Sequence, residues 1–247
     1  MSKVLVDAAD GITTITFNRP EKKNALDADC WVLLDEALRT FEQDDAQRVL
    51  VLTGAGGEFT SGADLSGGIT GEPEKVASKM REVADIQIRL HDMPKPTVAR
   101  VDGVAVGVGM SLALCCDLIA ATERSRFGAV FVRQGLNPDG GLSWMLPRLI
   151  GPARAKELTL LARLVHAPEA ERMGLINAAV PGVAELDAVV GEWVEKLRGY
   201  SPVALAETKA LLNETWDATF ASSLEREAAS QLRSTAARAA SDAAAPA

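Results

Sequence analysis

Apolar positions along the 247-residue chain change period several times, and each change marks an element. Lys3–Asp7 and Gly11–Phe17 read as two strands around an Ala-Asp-Gly turn, the pattern of a β-hairpin. Trp31, Leu34, Leu38 and Phe41 recur at helical spacing, so Ala28–Gln43 reads as an amphipathic helix capped by Asp27. The unbroken apolar run Arg48–Thr53 reads as a strand buried on both faces. A second amphipathic helix spans Pro73–His91 and stops at Met93-Pro94-Lys95-Pro96. Next come a strand at Thr97–Val101, a glycine-interrupted stretch, a short helix from about Gly109 to Cys115, and a strand at Leu118–Ala121. After the apolar segment Phe127–Val132 the pattern is helical: Leu142–Leu149, Ala153–Leu161, Pro168–Met173, Glu185–Leu197, Pro202–Thr215 and Phe220 to about Arg238. The tail SDAAAPA is expected to fray. Mixed elements before about residue 140 and helices alone after it predict an α/β core followed by a helical C-terminal part.

The stretch Val101–Asp117, VDGVAVGVGMSLALCCD, stands out because Gly103, Gly107 and Gly109 interrupt an apolar run where strand gives way to helix. Without a Cβ, such residues let a ligand approach the backbone closely. The first turn of the helix also presents N–H groups with no intrahelical acceptor, and these favour negative charge. The pattern therefore suggests a main-chain anion site; tight strand–helix packing alone also accounts for the glycines. A dinucleotide fingerprint does not fit, because the order is G-x-x-x-G-x-G and no strand ending in an acidic residue follows at the required distance. A second glycine-rich loop, Gly54–Leu65, follows another strand end, where α/β proteins bind ligands. The segment Ser66–Gly71 reads as mobile.

Composition narrows the field. A hydrophobic content of 47% supports a sizeable core, and a net charge of −8 argues against a general nucleic-acid or membrane-surface binder. Three cysteines (Cys30, Cys115, Cys116) and no C-x-x-C point to buried thiols in a reducing, cytoplasmic compartment. With only His91 and His166 available, a zinc site or a histidine-based triad has little to work with, and no metal is expected. The N-terminal MSKVLVDAADG does not read as a secretion signal, and no apolar run is long enough to span a membrane.

Four segments carry a resemblance: Asn18-Arg19-Pro20 with Asn24-Ala25-Leu26; Gly54–Leu65, ending Ser-Gly-Ala-Asp-Leu; the Gly103–Asp117 run; and Gly135–Gly151, GLNPDGGLSWMLPRLIG. In this order and spacing the chain, over about residues 3 to 215, resembles the crotonase superfamily, the enoyl-CoA hydratase/isomerase family. The resemblance implies a crotonase-like spiral of ββα units over residues 1–195, a C-terminal helical trimerisation region over 196–240 and a frayed tail at 241–247. It implies an acyl-CoA thioester substrate, no cofactor beyond the coenzyme A that the substrate carries, and a homotrimer or a hexamer built as a dimer of trimers. The thioester oxygen would sit between the backbone N–H groups of Ala63 and Val108, flanked by Gly62, Gly107 and Gly109. Relatives usually have Gly where this chain has Val108, but only the N–H is used. Ala25, Ala63, Asp64, Leu65 and Ser66 fall where relatives hold adenine and pantetheine, Ser61 is a further substrate-binding candidate, and Lys22 and Lys23 could meet phosphates. A solvated charged loop explains the lysines equally well, and a turn-stabilising role explains Asp64. Many relatives end in a helix whose aromatic and lysine close the neighbouring subunit's site; SDAAAPA has neither.

The chain departs from the hydratases at their two catalytic glutamates, whose positions are held here by Ser111 and Phe131. Neither can act as a carboxylate base, whereas adding water to a double bond needs one group to deprotonate water and another to protonate carbon. One acidic residue remains, Asp139 in Asn137-Pro138-Asp139-Gly140-Gly141, among apolar neighbours that should raise its pKa by desolvation. On turn chemistry alone, Asp139 serves equally well as a helix N-cap. The segment PDGGLSWMLPRLIG is similar to the 1,2-epoxyphenylacetyl-CoA and Δ3,Δ2-enoyl-CoA isomerase branch, which implies an acid/base role for Asp139. Phe131 and Trp144 are candidates for the wall of an acyl pocket, with core packing the alternative. The expectation is an isomerase with Asp139 as proton shuttle. The alternatives are a hydratase or other crotonase-type lyase, and a thioester binder without chemistry.

Overall fold

The computed structural model describes residues 2–67 and 73–244. Its strands, in chain order, are β1 (Val4–Ala9), β2 (Ile12–Phe17), β3 (Val49–Gly54), β4 (Thr97–Val101), β5 (Val104–Val106), β6 (Leu118–Thr122), β7 (Arg126–Gly128), β8 (Val165–His166) and β9 (Ala178–Val180). The helices are α1 (Ala28–Gln43), α2 (Pro73–Asp92), α3 (Val108–Leu114), α4 (Leu142–Leu160), α5 (Ala167–Arg172), α6 (Val183–Gly199), α7 (Pro202–Glu214) and α8 (Phe220–Ala244). The main sheet has the order β1-β2-β3-β4-β6-β9, antiparallel between β1 and β2 and parallel from β2 onward. A smaller sheet has the order β5-β7-β8.

Side chains alternate across a strand, so the apolar run of β3 feeds two cores. Leu50 and Leu52 join the large core with Leu34, Leu38 and Phe41 of α1, Leu90 of α2 and Met110 of α3. Val49 and Val51 face the other way, with Val98 and Ala120, onto Leu186, Val190 and Val194 of α6. That is why β3 shows no polar alternation: neither of its faces meets water. The α1 stripe behaves as its spacing predicts, and Asp27 caps it by accepting from Cys30 N at 3.1 Å. The boundary expected at residue 195 falls inside α6.

The structure corrects the expectation of helices alone after residue 140, because β8 and β9 lie there. They are two and three residues long, too short to show a strand period, and their pairing with β7 and β6 is what makes them strands. β5 was likewise hidden inside the glycine-rich stretch. The two helices expected at 142–149 and 153–161 appear as one span, α4, bent at Gly151 (φ 77°, ψ 156°) ahead of Pro152. Residues 241–244 of the expected frayed tail continue α8 as helix, in keeping with the high helix propensity of alanine. Ser66 and Gly67 form a short 3-10 turn with Leu65, and the rest of the segment expected to be mobile falls on residues 68–71, outside the described residues. No helix among the described residues is long and apolar enough to cross a membrane.

α7 and α8 lean on each other through a bidentate ion pair, Arg233 to Glu207 at 2.6 and 2.7 Å. α7 reaches the core through Lys209, whose Nζ lies 2.9 Å from Asp117. Leu212, Trp216, Phe220 and Leu232 remain exposed along this pair of helices.

Candidate active site

Two loops and one helix build the site, and Asn24 fastens the loops together. This residue is buried and left-handed (φ 55°), and its side-chain amide donates to Ala55 O at 2.9 Å and Glu58 O at 2.6 Å. Its Oδ1 accepts from Arg19 N, and its own carbonyl accepts from Thr60 Oγ1. Residues 22–26 consequently run alongside 60–64: Ser61 N donates to Lys23 O, Leu26 N to Gly62 O and Asp64 N to Leu26 O. Leu26 and Ala63 form an isolated parallel bridge. On its other side the glycine loop pairs with β5, Thr60 N donating to Val104 O and Val106 N to Thr60 O.

This weave presses the loop against the start of α3. A Cβ on Gly109 would lie 2.6 Å from Thr60 O, and one on Gly62 would lie 2.7 Å from Val106 O and 3.4 Å from Val108 N. Neither position admits a side chain without backbone movement. Gly107, at φ 58° and ψ −132°, turns the chain from β5 into α3, leaving Val108 as the first helical residue. Among the described residues neither Ala63 N–H nor Val108 N–H has an acceptor in the protein. Ala63 is exposed and Val108 is buried in the core, so one donor lies at the rim and the other in the wall. The geometry thus brings together Ala63, Val108, Gly62, Gly107 and Gly109, two free main-chain donors braced by three glycines.

The turn ahead of this junction is held by charge. Asp102 is buried, and it accepts from Arg124 Nε at 2.8 Å, Arg124 Nη2 at 2.6 Å and Thr122 Oγ1 at 2.7 Å. Burial pushes its pKa up, but the Arg124 and Thr122 hydrogen bonds outweigh that and hold it below the ordinary value. Glu58 Oε2 accepts from Val104 N at 2.7 Å. Asp102, Glu58 and Asn24 are positioning residues; Asn24 and Glu58 lie inside two of the segments that carry the resemblance, but their bracing role shows only once the loops are seen together.

Asp139 approaches α3 from the next segment. After β7 comes a 3-10 turn over Phe131–Gln134, with Phe131 buried in the large core. Pro138, Gly140 (φ 60°) and Gly141 (φ 80°) then set the entry to α4. Ser111 Oγ, one helical turn beyond Val108, donates to the Asp139 carbonyl at 3.3 Å. A Cβ on Gly140 would overlap Gln87 Nε2 and lie 2.6 Å from Ser111 Oγ, so the Asp139–Gly140 peptide is seated on α2 and α3 together. The N-cap of α4 is Gly141, with no side-chain cap, so the Asp139 carboxylate does not cap the helix. The residue is half-buried, its Oδ1 is sealed with no hydrogen-bond partner, and burial pushes its pKa above the ordinary 3.8.

The expected coenzyme-A residues separate into groups. Lys22 is exposed in the 3-10 turn Pro20–Lys22, and its carbonyl accepts from Ser61 Oγ at 3.3 Å. Ala25 is buried, its N–H donating to Lys22 O at 3.1 Å, while Leu65 and Ser66 are exposed in the 3-10 turn that follows Asp64. Asp64 is engaged within the protein, accepting from Ser66 N at 3.0 Å and from Arg19 Nη2 at 2.9 Å. The hydrogen bonds from Ser66 and Arg19 hold its carboxyl well below the usual range, which supports the turn-stabilising role. Trp144 is a correction. Its ring stands edge-on to His91 and Trp216 at 5.9 and 6.3 Å, with Arg148 4.2 Å above it. It lines a cavity of about 460 Å³ beside Cys115 and Lys209, at the C-terminal end of α3, and none of Ala63, Val108 and Asp139 lines that cavity. All three cysteines are free and buried, and no cluster of metal-ligating side chains occurs among the described residues.

Comparison with known proteins agrees with this geometry. Residues 7–242 match the family model described as enoyl-CoA hydratase/isomerase. A probable enoyl-CoA hydratase of Mycobacterium bovis is 39% identical over 222 residues, covering 87% of this chain and 76% of its own. The 1,2-epoxyphenylacetyl-CoA isomerase of Escherichia coli is 39% identical over 180 residues, covering 71% and 69%. A crystal structure of a probable enoyl-CoA hydratase/isomerase from Mycobacterium abscessus superposes with a TM-score of 0.86 at 35% identity, covering 94% of this chain and 89% of that one.

Proposed function

Because the chain belongs to the enoyl-CoA hydratase/isomerase family, with its crotonase-like fold, we propose that it is an acyl-CoA isomerase. It moves a double bond, or rearranges a ring, through a thioester enolate. The observation that carries this reading is a lone, partly sealed carboxylate, Asp139, beside an α3 that presents Ser111 and a core that contains Phe131. One carboxylate suffices for isomerisation. Asp139 takes a proton from Cα or Cγ, the electron pair delocalises onto the thioester oxygen, and Asp139 delivers a proton, exchangeable with solvent while it is held, to the other carbon. No water is consumed and no cofactor is required beyond the coenzyme A of the substrate.

Ala63 N–H and Val108 N–H hold the enolate oxygen while the proton is on Asp139. Preorganised donors of this kind contribute about 3 kcal/mol each to lowering the barrier. The raised pKa of Asp139 suits the task, since a carboxylate poised nearer neutrality exchanges protons with carbon more readily. The loops that carry Lys22, Ala25, Ser61, Leu65 and Ser66 take the coenzyme-A portion, and Gly62, Gly107 and Gly109 allow the thioester to reach the amides. The exposed apolar residues of α7 and α8 support assembly into a trimer or a dimer of trimers, and the buried free thiols support a cytoplasmic setting.

Hydratase chemistry is the second reading, favoured by the name of the Mycobacterium bovis relative. Incubating the enzyme with 3-enoyl-CoA and 2-enoyl-CoA thioesters in deuterated water, with mass detection, separates the two. Isomerisation gives migration of the double bond with deuterium at the exchanged carbon and no product heavier by one water. Hydration without migration overturns the proposal, and binding with no exchange at all identifies a protein without chemistry.

A further inference from the structure

Gln87, on α2, is a buried polar side chain that the proton-transfer scheme leaves unused: it is 5% exposed, and its Nε2 has no hydrogen-bond partner. This amide stands against Gly140, at the place where a Cβ would project. The adjacent residue, Asp139, has a sealed oxygen, Oδ1, that also has no partner. A donor without an acceptor and an acceptor without a donor therefore lie one residue apart, out of water. Leaving either unpaired costs free energy that pairing the two would recover. Gly140 is the residue that lets them meet, since any side chain there would stand between Gln87 and the turn.

We propose that Gln87 is a positioning residue for Asp139, its side-chain amide donating to Oδ1 when a thioester occupies the site and thereby aiming the other oxygen, Oδ2, at the carbon that gives and receives the proton. The proposal rests on the reading of Asp139 as the proton shuttle. Two features make it specific. Ser111 already holds the carbonyl of Asp139, so the main chain of the turn is anchored while its carboxylate is not. And among the described residues burial is the cause of the upward shift of the Asp139 pKa, with no charged partner contributing to it. A neutral amide donor steadies the carboxylate without locking it into an ion pair, leaving it able to accept a proton.

Gln87→Met removes the amide at nearly constant size, and Gln87→Glu keeps the shape while replacing the donor by a second acid. Carbon NMR of the Asp139 carboxyl, titrated with saturating butyryl-CoA, which has no double bond to move, reads the pair without turnover. The expected midpoint in Gln87→Met is about one unit above the wild type, and in Gln87→Glu higher still. Turnover of 3-enoyl-CoA by Gln87→Met is expected to fall about tenfold in kcat with KM unchanged, and the acid limb of its pH profile to move with the midpoint. Equal midpoints with butyryl-CoA bound overturn the role of Gln87 and leave that of Asp139 standing. Unequal midpoints in an enzyme that moves no double bond overturn the isomerase reading and leave the pair. Should Gln87→Met fail to fold, Gln87→Glu carries the same comparison, and an unshifted midpoint in it overturns the proposal.

Discussion

The two halves of the candidate site are built in opposite ways. At the Gly62–Val108 junction the groups on offer are main-chain N–H donors, and everything around them is fastened: Asn24, Asp102 and Glu58 each make hydrogen bonds to loop backbone or to the charges that brace it. At the Asp139 turn the group on offer is one carboxylate, and its sealed oxygen is left without a partner. The first half offers only the main chain of residues 63 and 108, but it needs glycine at 62 and 109, where a Cβ would meet backbone. The second half depends on a single residue and on the burial that perturbs it. The junction is held by many hydrogen bonds, whereas at Asp139 a buried oxygen forgoes one, a cost in stability of the kind functional groups carry.

Substitutions can break this contrast, and the largest effect is expected at the side-chain half. Asp139→Asn should lower kcat by about 10²- to 10⁴-fold, the range for loss of a general acid–base group, with binding of a CoA thioester retained in calorimetry. Unchanged turnover would remove Asp139 from the mechanism. At the main-chain half, Gly109→Ala drives a methyl group to 2.6 Å from Thr60 O and must push the glycine loop away from α3. Displacing one enolate donor should cost about 10²- to 10³-fold in kcat, together with a lower melting temperature. A variant with full activity would show that the junction does not hold the reacting oxygen.

A smaller effect concerns stability and pH. The carboxyl of Asp139 has a folded pKa above its ordinary 3.8. Between those two values the folded protein binds more protons than the unfolded chain, so stability falls as pH rises through the window. Asp139→Asn, which carries no charge, should therefore be more stable than the wild type at pH 7, with the gain shrinking below pH about 4. Urea denaturation at both pH values checks it, and a gain that grows in acid would contradict the burial account. The smallest change in turnover is expected from Val108→Ala, which keeps the N–H. Its kcat should stay within about threefold, under 1 kcal/mol of barrier, while loss of a buried side chain lowers stability. A collapse in kcat there would mean that the side chain of residue 108, and not its amide, is what the site uses.

Much of this molecule was open to inspection in one dimension. Helical spacing located α1 and α2, and short apolar segments bounded by turn residues located β1, β2, β3 and β4. The glycines of Gly54–Leu65 and Gly103–Gly109 pointed to main-chain chemistry because only a missing Cβ permits such close backbone approach. The order of acids and non-acids, with Ser111, Phe131 and Asp139, was equally plain in the sequence.

Other features were decided only once the chain was folded. β8 and β9 exist through their pairing, not through any pattern of their own. The environment of Trp144 depends on how α3, α4 and α7 converge, and that places its indole with His91 and Trp216. Asp64 could be assigned to the turn only when Arg19, 45 residues earlier in the chain, was seen beside it. Gln87 gave no signal at all, because one glutamine in an amphipathic helix reads as surface until Gly140 and Ser111 are found against it. Local sequence determines which backbone shapes are permitted and which faces must be buried. Which distant polar groups meet, and which are left without partners, follows only from packing, since burial is a property of the whole chain and not of any segment.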